Sequence, residues 1–335
     1  MESGREYGLI KVPTSLVSHI ICMFVAVALV VIASIYTTPR VENFSSLAPL
    51  QLSQEWNIST SAVVLNVVIM ALITVLLSII ANKYSLTTLL SLFPTLFFLM
   101  PLCCNPTILQ SFNVGMVGAV ALFVSTYYLF ENYGKKRVEQ MAYTVTFLLC
   151  ATTILWDKII FFMPLFLLGM GQLNLLTIKS AAASILAIIT VAFILWASTY
   201  LEWGYFNFES SWEGIKSVFL LEDYNAISQI SIYEVLYIAP ILIVVLIYNL
   251  TNLYADTREK ISIKRYIQFV NTILVTTILL IILNPLNINS YMPIFYASSS
   301  LLAAHYFNSI KSKAKLRFLY SIILAYITSF VLWIL

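Results

Sequence analysis

Asp157 and Lys158 stand side by side where two long apolar runs meet. Ionisable groups at membrane depth are scarce, and binding, proton transfer or ion passage is the usual reason for keeping them. The plain alternative is that both snorkel to the interface along their own stems. Arg40 and Glu42 follow Pro39 just past the first apolar run. Arginine can hold a phosphate through two parallel hydrogen bonds, and a nearby carboxylate can act as general base. Their plain alternative is a solvated loop pair. Glu202 and Trp203 open the longest polar stretch, and Trp212 lies within it.

Taken together, these types describe a site for a phosphorylated sugar. Arg40 and Lys158 would hold the phosphate. A carboxylate among Glu42, Asp157 and Glu202 would activate an acceptor hydroxyl, and Trp203 or Trp212 would stack on a sugar face. Glu234, at the start of a later run, poses the same choice between site and interface. No metal set is indicated. The four cysteines, Cys22, Cys103, Cys104 and Cys150, lack CxxC spacing and read as small apolar packing residues. His19 and His305 both fall roughly 8 Å inside one boundary at 1.5 Å of rise per residue. Equal depth would permit haem ligation, but two lone histidines are expected to be packed and hydrogen-bonded. No cofactor is named by any motif. Walker A, HExxH and GxSxG are all absent, which argues against an ATP-driven pump, that zinc protease class and an α/β-hydrolase.

The elements that must position these residues are membrane helices. The 335 residues are 61% hydrophobic and only 10% charged, with a mean hydropathy of +0.92. Soluble domains carry about 25% charged residues, so lipid is the solvent this composition fits. The apolar runs are continuous, without period-two alternation, which selects helices over a barrel. Eleven spans are predicted, in a single all-α membrane domain over 1–335: 14–36, 62–81, 85–103, 112–130, 139–156, 159–176, 181–201, 231–250, 266–284, 293–310 and 318–335. Alternating them with the N-terminus inside puts fifteen of the eighteen Lys and Arg on the inner face. The outer face receives only Arg40, Lys158 and Lys216, together with nine of the fifteen acids. This is the positive-inside pattern, and it predicts an N-in, C-out bundle.

The junction at Asp157-Lys158 reads either as a tight hairpin at the outer interface or as one re-entrant element, which would reduce the count to nine or ten. Pro94 and Pro101 should kink the third span, and Pro164 the sixth. In the outer stretch 202–230, Trp212, Ile215, Val218 and Phe219 share one helical face. An interfacial amphipathic helix is therefore expected over 210–221.

A further pattern runs from Asn82-Lys83-Tyr84 through Pro94 and Pro101 to Asn113. It continues with Tyr127-Tyr128-Leu129-Phe130, the basic turn Lys135-Lys136-Arg137, and Ala151 to Trp156 before a hairpin. Lys179, Pro293 and Ala303-Ala304-His305-Tyr306-Phe307 complete it. This layout resembles an uncharacterised multi-pass inner-membrane family of the Bacteroidetes, which differs in having arginine where Lys179 stands. More distantly it is similar to polyprenyl-phosphate-dependent membrane glycosyltransferases and polysaccharide polymerases, in which Glu42 would match an early outer-loop carboxylate. The resemblance implies a bacterial inner-membrane protein of cell-envelope glycan assembly using lipid-linked sugars. A transporter or flippase and a non-enzymatic scaffold are the other expectations. Membrane lipid is the expected partner and nucleic acid is not. Oligomeric state has no signal in the sequence.

Overall fold

In hydrocarbon every backbone N–H and C=O must find its partner within the segment, so each apolar run becomes a helix. The computed structural model describes residues 16–36, 60–87, 91–105, 108, 111–135, 137–200, 232–254, 260–308 and 313–334. Among these are eleven α-helices and no strand. In chain order they are α1 (Leu16–Tyr36), α2 (Thr60–Lys83), α3 (Phe93–Cys104), α4 (Val114–Glu131), α5 (Glu139–Thr152), α6 (Met163–Gln172), α7 (Ile178–Tyr200), α8 (Ile232–Tyr254), α9 (Ile261–Leu283), α10 (Ile288–Phe307) and α11 (Lys313–Ile334). Each expected span holds one of them. Five, namely α2, α4, α8, α9 and α11, are long and apolar enough to cross a bilayer, the mark of a membrane protein.

Two spans differ from expectation. The third was predicted as one kinked helix over 85–103. Instead Ser85 adopts a left-handed φ of 56°, and the amides of Leu86 and Thr87 both turn back to the Ala81 carbonyl. Helix α3 starts only at Phe93, with Pro94 in its first turn. Proline is tolerated there because that N–H has no helical acceptor. Pro94 therefore begins a helix where a kink was expected, while Pro101 does lie inside it. The twelve residues of α3 rise about 18 Å, short of the ~30 Å of hydrocarbon. The sixth span behaves likewise. A 3-10 turn, Asp157–Phe162, precedes α6, and Pro164 sits in the first turn of α6 without kinking it.

Non-helical backbone inside a bundle needs side-chain partners. His305 supplies one, its Nδ1 2.7 Å from the Leu86 carbonyl. The Asn66 amide donates to the Ser111 carbonyl beyond α3.

Helix α10 is the axis of the bundle. Eighteen of its twenty residues are buried, against α3, α4, α8 and α9. The hydroxyls of Ser298, Ser299 and Ser300 donate back to carbonyls of their own helix, so this polar stretch is enclosed without loss. Small residues there also allow backbones to approach, which drives helix association where lipid is as apolar as leucine. The outer helices show apolar rows at helical spacing, such as Ile185, Ile189, Phe193 and Trp196 on α7 and Tyr320, Leu324, Ile327 and Val331 on α11. Such exposed rows belong against lipid.

At one end of α2 and α4, Lys83 pairs with Glu131 and donates to the Tyr127 hydroxyl at 2.7 Å, while Lys135 reaches Glu131 at 3.9 Å. Just past α2, burial, followed by the Glu131 carboxylate, pushes the Tyr84 hydroxyl well above the usual phenol range. Half-exposed pairs of this kind add little stability and mainly fix helix ends.

Candidate functional site

The most enclosed charges lie where α5 gives way to α6. Helix α5 ends at Thr152, the chain turns through residues 153–155, and Trp156 is extended at φ −143°, ψ 101°. The 3-10 turn then doubles back, bringing Met163 Sδ to 3.8 Å from Cys150 Sγ on α5. A tight hairpin of two crossings and a re-entrant element both reverse the chain in this way.

Two glycines three residues apart on α4 admit this turn. A Cβ on Gly118 would fall within the Trp156 indole, and one on Gly115 would fall on the backbone carbonyl of Ser290 in α10. Trp156 is fully buried and lies 5.6 Å from the Tyr291 ring of α10, centroid to centroid. Asp157 and Lys158 follow it into the interior, each only 2% exposed.

These two side chains form no ion pair with each other or with any other described residue. The Trp156 Nε1 and the Tyr291 hydroxyl have no hydrogen-bond partner among the described residues, and the Asp157 carboxylate has no side-chain partner there, only the nearby backbone N–H groups of Asp157 and Lys158. In this connection between the spans, burial pushes the Asp157 carboxyl up and the Lys158 ammonium down, and each charge partly offsets the shift of the other. An enclosed carboxylate, an amine, an indole N–H and a phenol thus share one region. They can bind and release protons or hold a polar group, since buried polar atoms left unpaired in the protein call for a ligand or a function.

A neighbouring set of amides holds the frame. The Asn113 Oδ1 accepts from the Gly115 N–H at 2.9 Å and caps α4. Its Nδ2 donates to the Asn289 carbonyl at 2.9 Å, and its backbone N–H donates to Asn66 Oδ1 at 3.2 Å. One asparagine therefore ties α2, α4 and the start of α10 beside the Gly115–Ser290 contact.

Of the residues singled out from sequence, Asp157 and Lys158 are brought together in the interior. Both are enclosed by protein, because the turn folds inward with Trp156 against Gly118 of α4. Arg40, Glu42, Glu202, Trp203 and Trp212 lie outside the described residues, as do the segment 210–221 and the Glu234 side chain. The histidines are packed and bonded: His19 Nδ1 lies 2.8 Å from Thr95 Oγ1, which in turn lies 3.2 Å from Ser78 Oγ. The cysteines are free, three of them buried. No group of three or more His, Cys, Asp or Glu suited to a metal occurs among the described residues. Sequence reasoning missed Trp156, Tyr291, Asn113, Gly115 and Gly118. The available signal was the Gly115-x-x-Gly118 spacing and the asparagines in or beside apolar runs.

Comparison with protein-family models, with curated proteins and with solved structures finds no match to this chain. The site is read from its own chemistry.

Proposed function

We propose that this chain is a multi-pass transporter or flippase of the plasma membrane, the inner membrane of a bacterium, working through the Trp156–Asp157–Lys158 turn. The observation that carries this reading is the enclosure of two opposite charges, without an ion pair, at the break between α5 and α6. Charges held in a membrane interior persist when paired or useful. An enzyme acting on a lipid-linked donor would instead need its charged groups open to an aqueous cleft. Glycan assembly remains a second reading, favoured by the indole of Trp156 beside an amine and a carboxylate. It joins the first if the cargo is itself a lipid-linked sugar, with Lys158 holding phosphate and Trp156 meeting a sugar face.

Vesicles reconstituted with the protein and a fluorescent polyprenyl-phosphate sugar test the cargo. The wild type should expose inner-leaflet lipid to an external quencher at least tenfold faster than Asp157→Asn. A rate equal to that of protein-free vesicles would reject this cargo. Formation of a glycosylated product would favour the enzyme reading.

The topology belonging to this function is eleven crossings, N-in and C-out, with the acidic face outward. Single cysteines at Ser45, Ser211 and Lys313, in a background without Cys22, Cys103, Cys104 and Cys150, report it. The first two should react with an impermeant maleimide from outside and the third only after permeabilisation. External labelling at 313 would overturn the orientation.

A further inference from the structure

Asp157 and Lys158 together carry no net charge in either of two forms, carboxylate with ammonium or carboxylic acid with free amine. The forms differ by one proton moved from nitrogen to oxygen. In a contact ion pair the first form would gain Coulomb energy to offset desolvation. The two side chains are not in such contact, and no side chain among the described residues donates to either carboxylate oxygen, which has only the backbone N–H groups of Asp157 and Lys158 close by to favour its charge. Burying two separated charges then costs far more than burying two neutral groups.

The surroundings offer little to reverse this. From α10 the group close enough to feel the Asp157 charge is the Tyr291 hydroxyl, a neutral donor and acceptor. Near the turn α4 presents Gly115 and Gly118, and α5 presents the Cys150 thiol, which lies against Met163. The nearest described carboxylate–lysine pairs, at Glu131, belong to the far end of α4.

We infer that Asp157 and Lys158 are a proton-exchange pair, neutral while the turn is enclosed between α4 and α10 and ionised when the turn meets water, the pair as a whole holding the same number of protons in both forms. On opening, the carboxylic acid gives its proton to water and the Lys158 amine takes one up. On closing, the ammonium nitrogen loses a proton and a carboxylate oxygen gains one. Nothing is oxidised or reduced, and no bond other than O–H and N–H is made or broken. The coupling of this cycle to a cargo rests on the transport reading above, whereas proton binding at Asp157 stands on the enclosure itself.

Infrared spectroscopy of the full chain in lipid vesicles tests it directly. At neutral pH the wild type should show the C=O stretch of a protonated, weakly hydrogen-bonded carboxyl, sensitive to deuterium exchange. The band should be missing in Asp157→Asn and retained in Asp157→Glu. In Lys158→Met it should persist to higher pH, because the competing base is gone, and a residue with a merely structural role would leave that pH profile unmoved. Dicyclohexylcarbodiimide, which attacks protonated carboxyls in apolar surroundings, should modify Asp157 and leave the water-facing Glu131 untouched, with labelling falling as pH rises. A wild-type spectrum identical to that of folded Asp157→Asn, or labelling at Glu131 alone, overturns the proposal. The proton result and the lipid-translocation result fail separately. A band at Asp157 without translocation removes the cargo and leaves the exchange pair. Translocation that is as fast in Asp157→Asn, with no band in the wild type, removes the exchange pair and leaves a transporter.

Discussion

Gly115→Val should yield no monodisperse protein after detergent extraction, while Gly171→Val behaves as wild type. A Cβ at position 115 lands on the backbone oxygen of Ser290. Overpacking against side chains costs about 1–3 kcal/mol, because rotamers can yield. Here the obstacle is the main chain of α10, which is buried on nearly every residue. The two helices must separate, and separation also stretches the Asn113–Asn289 bond and unseats Trp156. Together these place the loss above about 3 kcal/mol, a large share of the ~5–15 kcal/mol that holds a domain folded. At Gly171 an added Cβ meets open space, so that variant controls for backbone stiffening. Fluorescence-detected size exclusion after a temperature series gives the answer. A Gly115→Val peak with the wild-type melting point would show that α4 and α10 can part without penalty.

Asn113→Ala should lower stability by about 1.6–2.7 kcal/mol, combining loss of an N-cap of about 1 kcal/mol with an interhelical hydrogen bond of about 0.6–1.7 kcal/mol. Asn113→Asp separates the two contributions. It keeps the Oδ1 acceptor for the Gly115 N–H and removes the Nδ2 donor to Asn289. Its deficit should therefore be roughly the interhelical part alone, plus any cost of a buried charge, which lowering the pH would remove. Thermal unfolding in detergent reads both. Equal melting points for Asn113→Ala and wild type would mean that the cap and the tie are replaced by other partners.

The sequence made the helices legible because lipid demands a long apolar run for each one, and the lipid-facing rows on α1, α7 and α11 follow from that demand. It misplaced the start of α3 because hydropathy does not register Pro94 as a helix start or Ser85 as a left-handed turn. The site was half legible. A charge pair between apolar runs is visible in any reading of the chain. Whether it snorkels or turns inward depends on two glycines some forty residues earlier in the chain and on a tyrosine far downstream. Those partners reach Trp156 only through tertiary packing, which no local pattern encodes. Asn113 stands beside an apolar run in the sequence, but its bond to Asn289 spans 176 positions.

The place of α10 has a consequence for biogenesis. A ribosome feeding this chain into the membrane makes the central helix only after the nine other described helices that precede it. Its asparagine and serines leave it outside the five helices apolar enough to partition into lipid unaided. Earlier helices must therefore wait around an unfilled groove lined by α3, α4, α8 and α9, and the insertion machinery must hold α10 until it finds them. A nascent chain arrested before Ile288 would expose the faces of Gly115 and Phe97 to lipid. Such a chain would be a substrate for membrane quality control, so the arrival of α10 decides whether the helices around it survive.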